Sequence, residues 1–151
     1  MGRYYEEFKV GQRYETPRRT VIEADISTFA GLTADFNPLH MDEIHAAESD
    51  FGGRITHGPM IVGMAFGLAS RAGLLDGTVM GLLDIAWKFM LPVRPGDTIS
   101  VVVNVTDKRM TKKPDRGVVE VGLDVHNQHG EIVQIGMAKV LVRLKNPEGI
   151  A

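Results

Sequence analysis

Two residues early in the sequence could act together as an acid and a base. Asp35 and His40 lie five positions apart in the stretch FAGLTADFNPLH, residues 29–40. A helix would place the two side chains about 140° apart around its axis, so only a loop could bring them together. A carboxylate and an imidazole held on one water molecule form a general base and acid suited to neutral pH. The pair therefore predicts proton transfer to and from water.

The sequence places this pair on a structured loop, residues 34–42. Pro38 lacks a backbone N–H and disfavours the helical conformation at Asn37, so the preceding helix must end before it. Asn37 can bond local backbone groups, and the proline stiffens the segment. A second interpretation stays open here, because an aspartate that caps a helix and a histidine on the surface would have the same spacing.

The helices expected around this loop lie in the first half of the chain. Apolar residues at helical spacing predict a short amphipathic helix over residues 23–33, and residues 42–49 are expected to add a helical turn or two. The longest apolar run, residues 59–75, holds three glycines and one arginine, and we expect a helix that is buried on all sides. Pro59 lies at its start, where proline is favoured.

The second half of the chain is predicted to form a sheet. A short strand is expected within residues 11–21, and four long segments rich in Val and Ile follow at residues 79–91, 98–111, 117–127 and 131–144. Each turn between these segments is a plausible hairpin connection, which predicts an antiparallel meander. Apolar and polar residues alternate, as in a sheet with one covered face, and the long apolar helix can cover that face. We predict one α+β domain over residues 1–151, a curved antiparallel sheet wrapped around a long central helix.

Composition excludes several classes of function. The chain has 17 basic and 19 acidic residues, a formal charge of −2, and no clustered basic stripe, so nucleic-acid binding is not expected. There is no cysteine, which excludes disulfides, a thiolate nucleophile and cysteine-based zinc sites. Because no apolar run reaches the roughly eighteen residues of a membrane span and no signal peptide is seen, we expect a cytoplasmic protein without membrane contact.

A metal site is not expected either. The candidate cluster of metal ligands would consist of Asp35, His40, Asp42 and His45. His40 and His45 lack the i, i+4 spacing that aligns two metal ligands on one helix face.

The stretch that carries the acid–base pair resembles the signature of the MaoC-like, or (R)-specific enoyl-CoA hydratase, family. That signature runs from an aromatic residue through small residues to Asp-x-Asn-Pro-Leu-His, here Phe29 through His40. Ala34 stands where the family usually has glycine. The resemblance continues through FGGRITHG, residues 51–58, and FMLPVRPGD, residues 89–97, so it covers most of the chain.

The resemblance implies the hot-dog fold and assigns roles to individual residues. Asp35 and His40 would be catalytic, and the backbone N–H of Gly58 would bind the thioester oxygen at the start of the long helix. Asn37 and His57 are further candidates for substrate binding. A structural histidine that bonds the loop before the helix is an equally good interpretation of His57.

The implied function is the reversible hydration of a 2-enoyl thioester to an (R)-3-hydroxyacyl thioester of coenzyme A. Coenzyme A would be part of the substrate, and no separate cofactor is expected. The resemblance also implies a homodimer or a higher homo-oligomer with sites near the interface. Two alternatives remain, an acyl-CoA thioesterase and a non-catalytic acyl-CoA-binding module.

Basic residues around one predicted hairpin could contact the phosphates of coenzyme A, although a solvated turn explains them equally well. They are Lys108, Arg109, Lys112, Lys113 and Arg116.

Overall fold

The Val-rich segments of the second half form most of an antiparallel sheet. The computed structural model describes residues 2–147, and its six strands follow the order β1-β4-β5-β6-β3, with β2 paired to β4. Their bounds are β1 Arg13–Glu15, β2 Arg19–Thr20, β3 Val79–Phe89, β4 Thr98–Met110, β5 Arg116–His126 and β6 Ile132–Arg143. All pairings are antiparallel, as predicted.

The order of the strands corrects one expectation from the sequence. Residues 90–97 do not form a hairpin, because β3 pairs with β6 while β4 lies on the other side of β5. Only β4, β5 and β6 form the predicted meander. Because local turn chemistry cannot distinguish a hairpin from a crossover, the long-range pairing of β3 was not visible in the sequence.

In the described part of the first half, from residue 2 onward, there are four helices and a 3₁₀ turn over Tyr5–Glu7. They are α1 Glu23–Thr33, α2 Pro38–Met41, α3 Glu43–Ala47 and α4 Gly58–Arg71. The predicted loop after α1 is therefore not wholly irregular, since Pro38 begins a helical turn. The Asn37 side chain caps this turn by accepting a hydrogen bond from the Leu39 N–H at 3.0 Å.

Helix α4 covers the sheet as predicted. Its buried residues Ile61, Ala65 and Leu68 belong to one core cluster with sheet residues that include Val101 and Leu123. The expectation of a helix buried on all sides was wrong. Gly63 and Gly67 are exposed on the opposite face of α4, and no other element covers them within the described part of the chain.

No helix within residues 2–147 is long and apolar enough to cross a membrane. The cytoplasmic location stays a prediction.

Candidate active site

The turn that carries Asp35 is set by the end of α1. Ala34 has φ 61° and ψ 18°, in the left-handed region, and it reverses the chain directly after Thr33. The Thr33 hydroxyl then accepts a hydrogen bond from the Asp35 N–H at 3.3 Å. The Asp35 carboxylate accepts one from the Asn37 N–H, also at 3.3 Å. Local bonds on both sides therefore fix the position of this aspartate.

The His40 ring is oriented by the segment that precedes α4. Its Nδ1 lies 2.8 Å from the carbonyl oxygen of Ile55. A carbonyl can only accept, so Nδ1 carries the hydrogen and Nε2 is the atom left for proton exchange. His40 is half-buried and lies on the surface of a cavity.

His57 lies next to Asp35 and His40. It is 1% exposed, and its Nε2–H donates to the backbone oxygen of Asp35 at 2.9 Å. Its ring centroid lies 4.0 Å from that of His40 and 5.0 Å from that of Phe29. The burial and the bond to the loop favour the interpretation of His57 as a structural histidine over direct substrate binding.

The structure brings the three side chains of Asp35, His40 and His57 together. One potential ligand atom from each lies within 4.8 Å of the other two. One carboxylate and two imidazoles can also bind a divalent cation, which the sequence spacing did not suggest. The Nε2 of His57 already donates to the backbone oxygen of Asp35, whereas its Nδ1 is buried and has no hydrogen-bond partner among residues 2–147. The absence of a metal stays a prediction.

A cavity of about 300 Å³ opens beside His40. Thr56 and Gly58 lie on its surface with His40, and apolar side chains such as Phe51 and Phe89 form much of the rest. Such a cavity, apolar with a few convergent polar groups, is typical of a small-molecule site.

Gly58 is the first residue of α4, and its N–H has no hydrogen-bond acceptor within residues 2–147. A Cβ at this position would lie 2.8 Å from Cε1 of Phe89, so a larger residue could fit only if that exposed ring moved. The Gly58 oxygen accepts a bond from Gln134 at 3.4 Å, and Gln134 in turn accepts one from the Trp87 indole at 2.8 Å. These contacts hold the start of α4 beside the cavity.

Two contacts at the site were not anticipated from the sequence. Gln134 is 3% exposed, and the other buried positions of β6 are apolar or glycine, so a polar residue in phase with them could have been noticed. Arg54 bonds the backbone oxygen of His40, but an arginine next to two glycines in a loop carries no pattern that predicts its partners.

The hairpin between β4 and β5 does not present all of its basic residues to solvent. Lys108 donates to the backbone oxygens of Tyr5 and Phe8 at 3.1 and 2.8 Å. Arg116 forms two bonds to Asp115, each at 2.6 Å. The charged groups of Lys108 and Arg116 are therefore already hydrogen-bonded within the protein. Arg109, Lys112 and Lys113 are exposed.

Comparison with known proteins identifies relatives with named activities. The profile of the MaoC like domain matches residues 7–127. The MaoC protein of Klebsiella aerogenes is 44% identical over 78% of this chain. The matched region covers only 34% of that longer protein. An (R)-specific enoyl-CoA hydratase of Rhodospirillum rubrum is 38% identical over 73% of this chain and 74% of its own.

Solved structures agree with these relatives. The crystal structure of a MaoC-like dehydratase from Rhodospirillum rubrum superimposes with a TM-score of 0.85 at 34% identity, covering 96% of this chain and 99% of that one. A double-hot-dog protein from Mycobacterium tuberculosis superimposes with a TM-score of 0.86 at 16% identity. The match covers 99% of this chain and 46% of the Mycobacterium tuberculosis chain. The predicted hot-dog fold is confirmed.

Proposed function

Because the chain belongs to the MaoC-like family of hydratases and dehydratases, we propose that it hydrates a 2-enoyl thioester of coenzyme A reversibly. The product would be the (R)-3-hydroxyacyl thioester. The observation that carries this proposal is the convergence of Asp35 and His40 beside the cavity that Gly58 also lines. Hydratases of this specificity, such as that of Rhodospirillum rubrum, are among its relatives.

Asp35 and His40 would transfer the protons of the reaction. The oxygen of water forms a bond to the β-carbon, the carbon–carbon π bond breaks, and the pair accepts the proton that this water loses. The pair also gives one proton to the α-carbon, so it is restored at the end of the cycle. The bond from His40 Nδ1 to Ile55 supports this role, because it leaves Nε2 for the reacting water.

The thioester oxygen gains negative charge as water adds, and a hydrogen-bond donor would stabilise it. The Gly58 N–H suits this role because it lies at the first turn of α4, where backbone N–H groups have no partner within the helix. Apolar side chains around the cavity would exclude bulk water from the acyl group.

A direct assay tests the activity. The purified protein is incubated with 2-butenoyl-CoA, and the enoyl-thioester absorbance is followed together with the release of free thiol. We expect absorbance to fall without thiol release, and chiral analysis to give the (R) product. Thiol release would instead support the thioesterase, and binding without either change would support the non-catalytic module. Dialysis against a chelator should leave the rate unchanged, whereas a loss restored by a divalent cation would contradict the metal-free mechanism.

A homodimer is part of the proposal. Strand β3 is an edge of the sheet and carries the exposed apolar residues Leu82, Leu83 and Ile85, and one face of α4 is also uncovered. An unpaired edge with exposed apolar side chains is a common pairing surface. Light scattering after size exclusion should give twice the chain mass, and Ile85→Arg should give monomers. A wild-type protein that is monomeric at assay concentration would contradict the dimer.

A further inference from the structure

Arg54 contacts three elements around the catalytic pair. Its Nε donates to Glu43 in α3 at 2.7 Å, while Nη1 and Nη2 donate to the two carboxylate oxygens of Glu23 in α1 at 2.7 and 2.8 Å. Nη1 also donates to the backbone oxygen of His40 at 3.3 Å. All three guanidinium nitrogens are therefore engaged, and the Arg54 side chain is only 17% exposed. It is a fixed contact rather than a solvated surface charge.

The bond from Arg54 gives the backbone oxygen of His40 a hydrogen-bond donor that the rest of the described chain does not supply. Helix α2 has only four residues, Pro38–Met41, and the last carbonyls of any helix have no partner within it. Arginine side chains near a helix C-terminus can bond these carbonyls. Arg54 bonds the carbonyl of His40 in this way, and the His40 side chain lines the cavity.

Two further bonds join the same short segments. The Ile55 N–H donates to the Leu39 oxygen at 3.4 Å, and the His40 ring donates to the Ile55 oxygen at 2.8 Å. Three hydrogen bonds thus join residues 54–55 to residues 39–40. Of these three, only the bond from Arg54 is linked to other elements, because Arg54 also bonds Glu23 and Glu43.

From this geometry we infer that Arg54 is a positioning residue, which sets the place of His40 by joining its backbone to α1 and α3. The inference rests on the proposed function, because it requires that His40 takes part in the reaction. The planar guanidinium is suited to this role, since it bonds both oxygens of Glu23 while keeping a donor for each of its other partners.

The charges around Arg54 keep these bonds formed at neutral pH. The hydrogen bonds from Arg54 lower the pKa of Glu23 below its usual value, so this carboxylate stays ionised. The hydrogen bonds to Glu23 and Glu43 raise the pKa of Arg54. Because the folded-state pKa of Glu23 is depressed, its contribution to stability is present above the unfolded pKa and is lost as pH falls through the folded value.

Replacing Arg54 tests the inference. Arg54→Met keeps an apolar stem but removes all four bonds, and we expect kcat to fall about tenfold or more with KM changed less than about threefold. Arg54→Lys should recover only part of the rate, because an ammonium cannot reproduce the planar set of donors. Glu43→Gln, which weakens one anchor, should cost a smaller factor. Arg19→Gln is the control, since it removes the ion pair to Asp25 at the start of the same helix α1 without touching His40.

A double-mutant comparison separates positioning from general damage. If Arg54 acts through His40, Arg54→Met should cost much less in a His40→Ala background than in the wild type. NMR of the histidine rings should also show changed His40 signals in Arg54→Met and unchanged ones in Arg19→Gln. Equal losses in both backgrounds, or a normal kcat in Arg54→Met, would overturn the inference.

The outcomes also separate this inference from the proposed function. If Arg54→Met does not fold, Arg54→Lys and Glu43→Gln provide the same comparison. If His40→Ala turns over normally, the proposed mechanism fails, and the NMR of the His40 ring alone decides whether Arg54 positions it. In that case unchanged His40 signals in Arg54→Met would overturn the positioning role as well.

Discussion

The sheet and the segment of residues 34–58 are held together in different ways. In the sheet, continuous backbone ladders join β4 to β5 and β5 to β6, and inward residues such as Val103 and Leu123 share one core cluster. In residues 34–58, single bonds from side chains to backbone groups fix each turn. Examples are Asn37 to Leu39, His40 to Ile55 and His57 to Asp35.

This difference separates stability from activity. A substitution in the sheet removes one of many similar contacts, so it should change the free energy of unfolding while leaving the geometry of the site intact. A substitution of a side chain that forms one of these bonds in residues 34–58 removes a contact that no neighbour replaces, so it should change the rate more than the stability. Substitutions at five positions test this comparison, from the largest expected effect to the smallest.

The catalytic pair should show the largest effect. Asp35→Asn and His40→Ala should each lower kcat at least about a hundredfold, the scale of general acid–base catalysis. Because Asp35 is exposed and His40 is only half-buried, neither side chain belongs to the core, and thermal unfolding should change little. Steady-state kinetics with 2-butenoyl-CoA and calorimetry measure the two quantities. Folded variants with near-normal rates would contradict the mechanism.

Substitution of Gly58 should have the second largest effect on kcat. In Gly58→Ala the new methyl group would meet Phe89 at 2.8 Å, and since Phe89 is largely exposed, its ring can move. We expect kcat to fall about tenfold or more, because the methyl group also displaces the thioester from the N–H donor. The variant Gly58→Ala/Phe89→Ala separates the two causes. A rate restored by removing the phenyl ring would show that packing alone requires the glycine.

The same comparison explains what could be predicted from the sequence. Alternating apolar residues made the long strands predictable, because burial of one face imposes that pattern. The long apolar run of residues 59–75 made the covering helix predictable. The pairing of β3 with β6 was not predictable, since the turn at residues 90–97 has the same composition as a hairpin. The convergence of Asp35 and His40 was expected from resemblance, and a structural role for His57 was one of two interpretations left open. The contact of Arg54 with His40 joins two segments that have no periodic pattern, so it was not predictable.

A core residue of the sheet tests the other side of the comparison. Ile99 in β4 is fully buried, and Ile99→Val removes one methylene group. We expect the free energy of unfolding to fall by about 1 kcal/mol, the usual cost of this change in a packed core. Denaturant titration measures that loss, and kcat should stay within about twofold of the wild type. A large loss of rate at this position would show that the sheet and the site are not independent.

The smallest effect is expected at Ala34, where stability should rise rather than fall. Ala34 is the one described non-glycine residue with positive φ, at 61°, and its Cβ is crowded in the left-handed conformation. Glycine takes this conformation without that crowding but loses more conformational freedom on folding, so Ala34→Gly should stabilise the protein by roughly 0.5–1 kcal/mol. The control is Ala24→Gly, which places glycine at an exposed position of α1 with ordinary helical geometry and should destabilise by a similar amount. Denaturant titrations of the two variants should therefore shift in opposite directions. If both variants lost stability equally, the turn before Asp35 would carry no strain, and the alanine would be as well suited there as the glycine usual in the family.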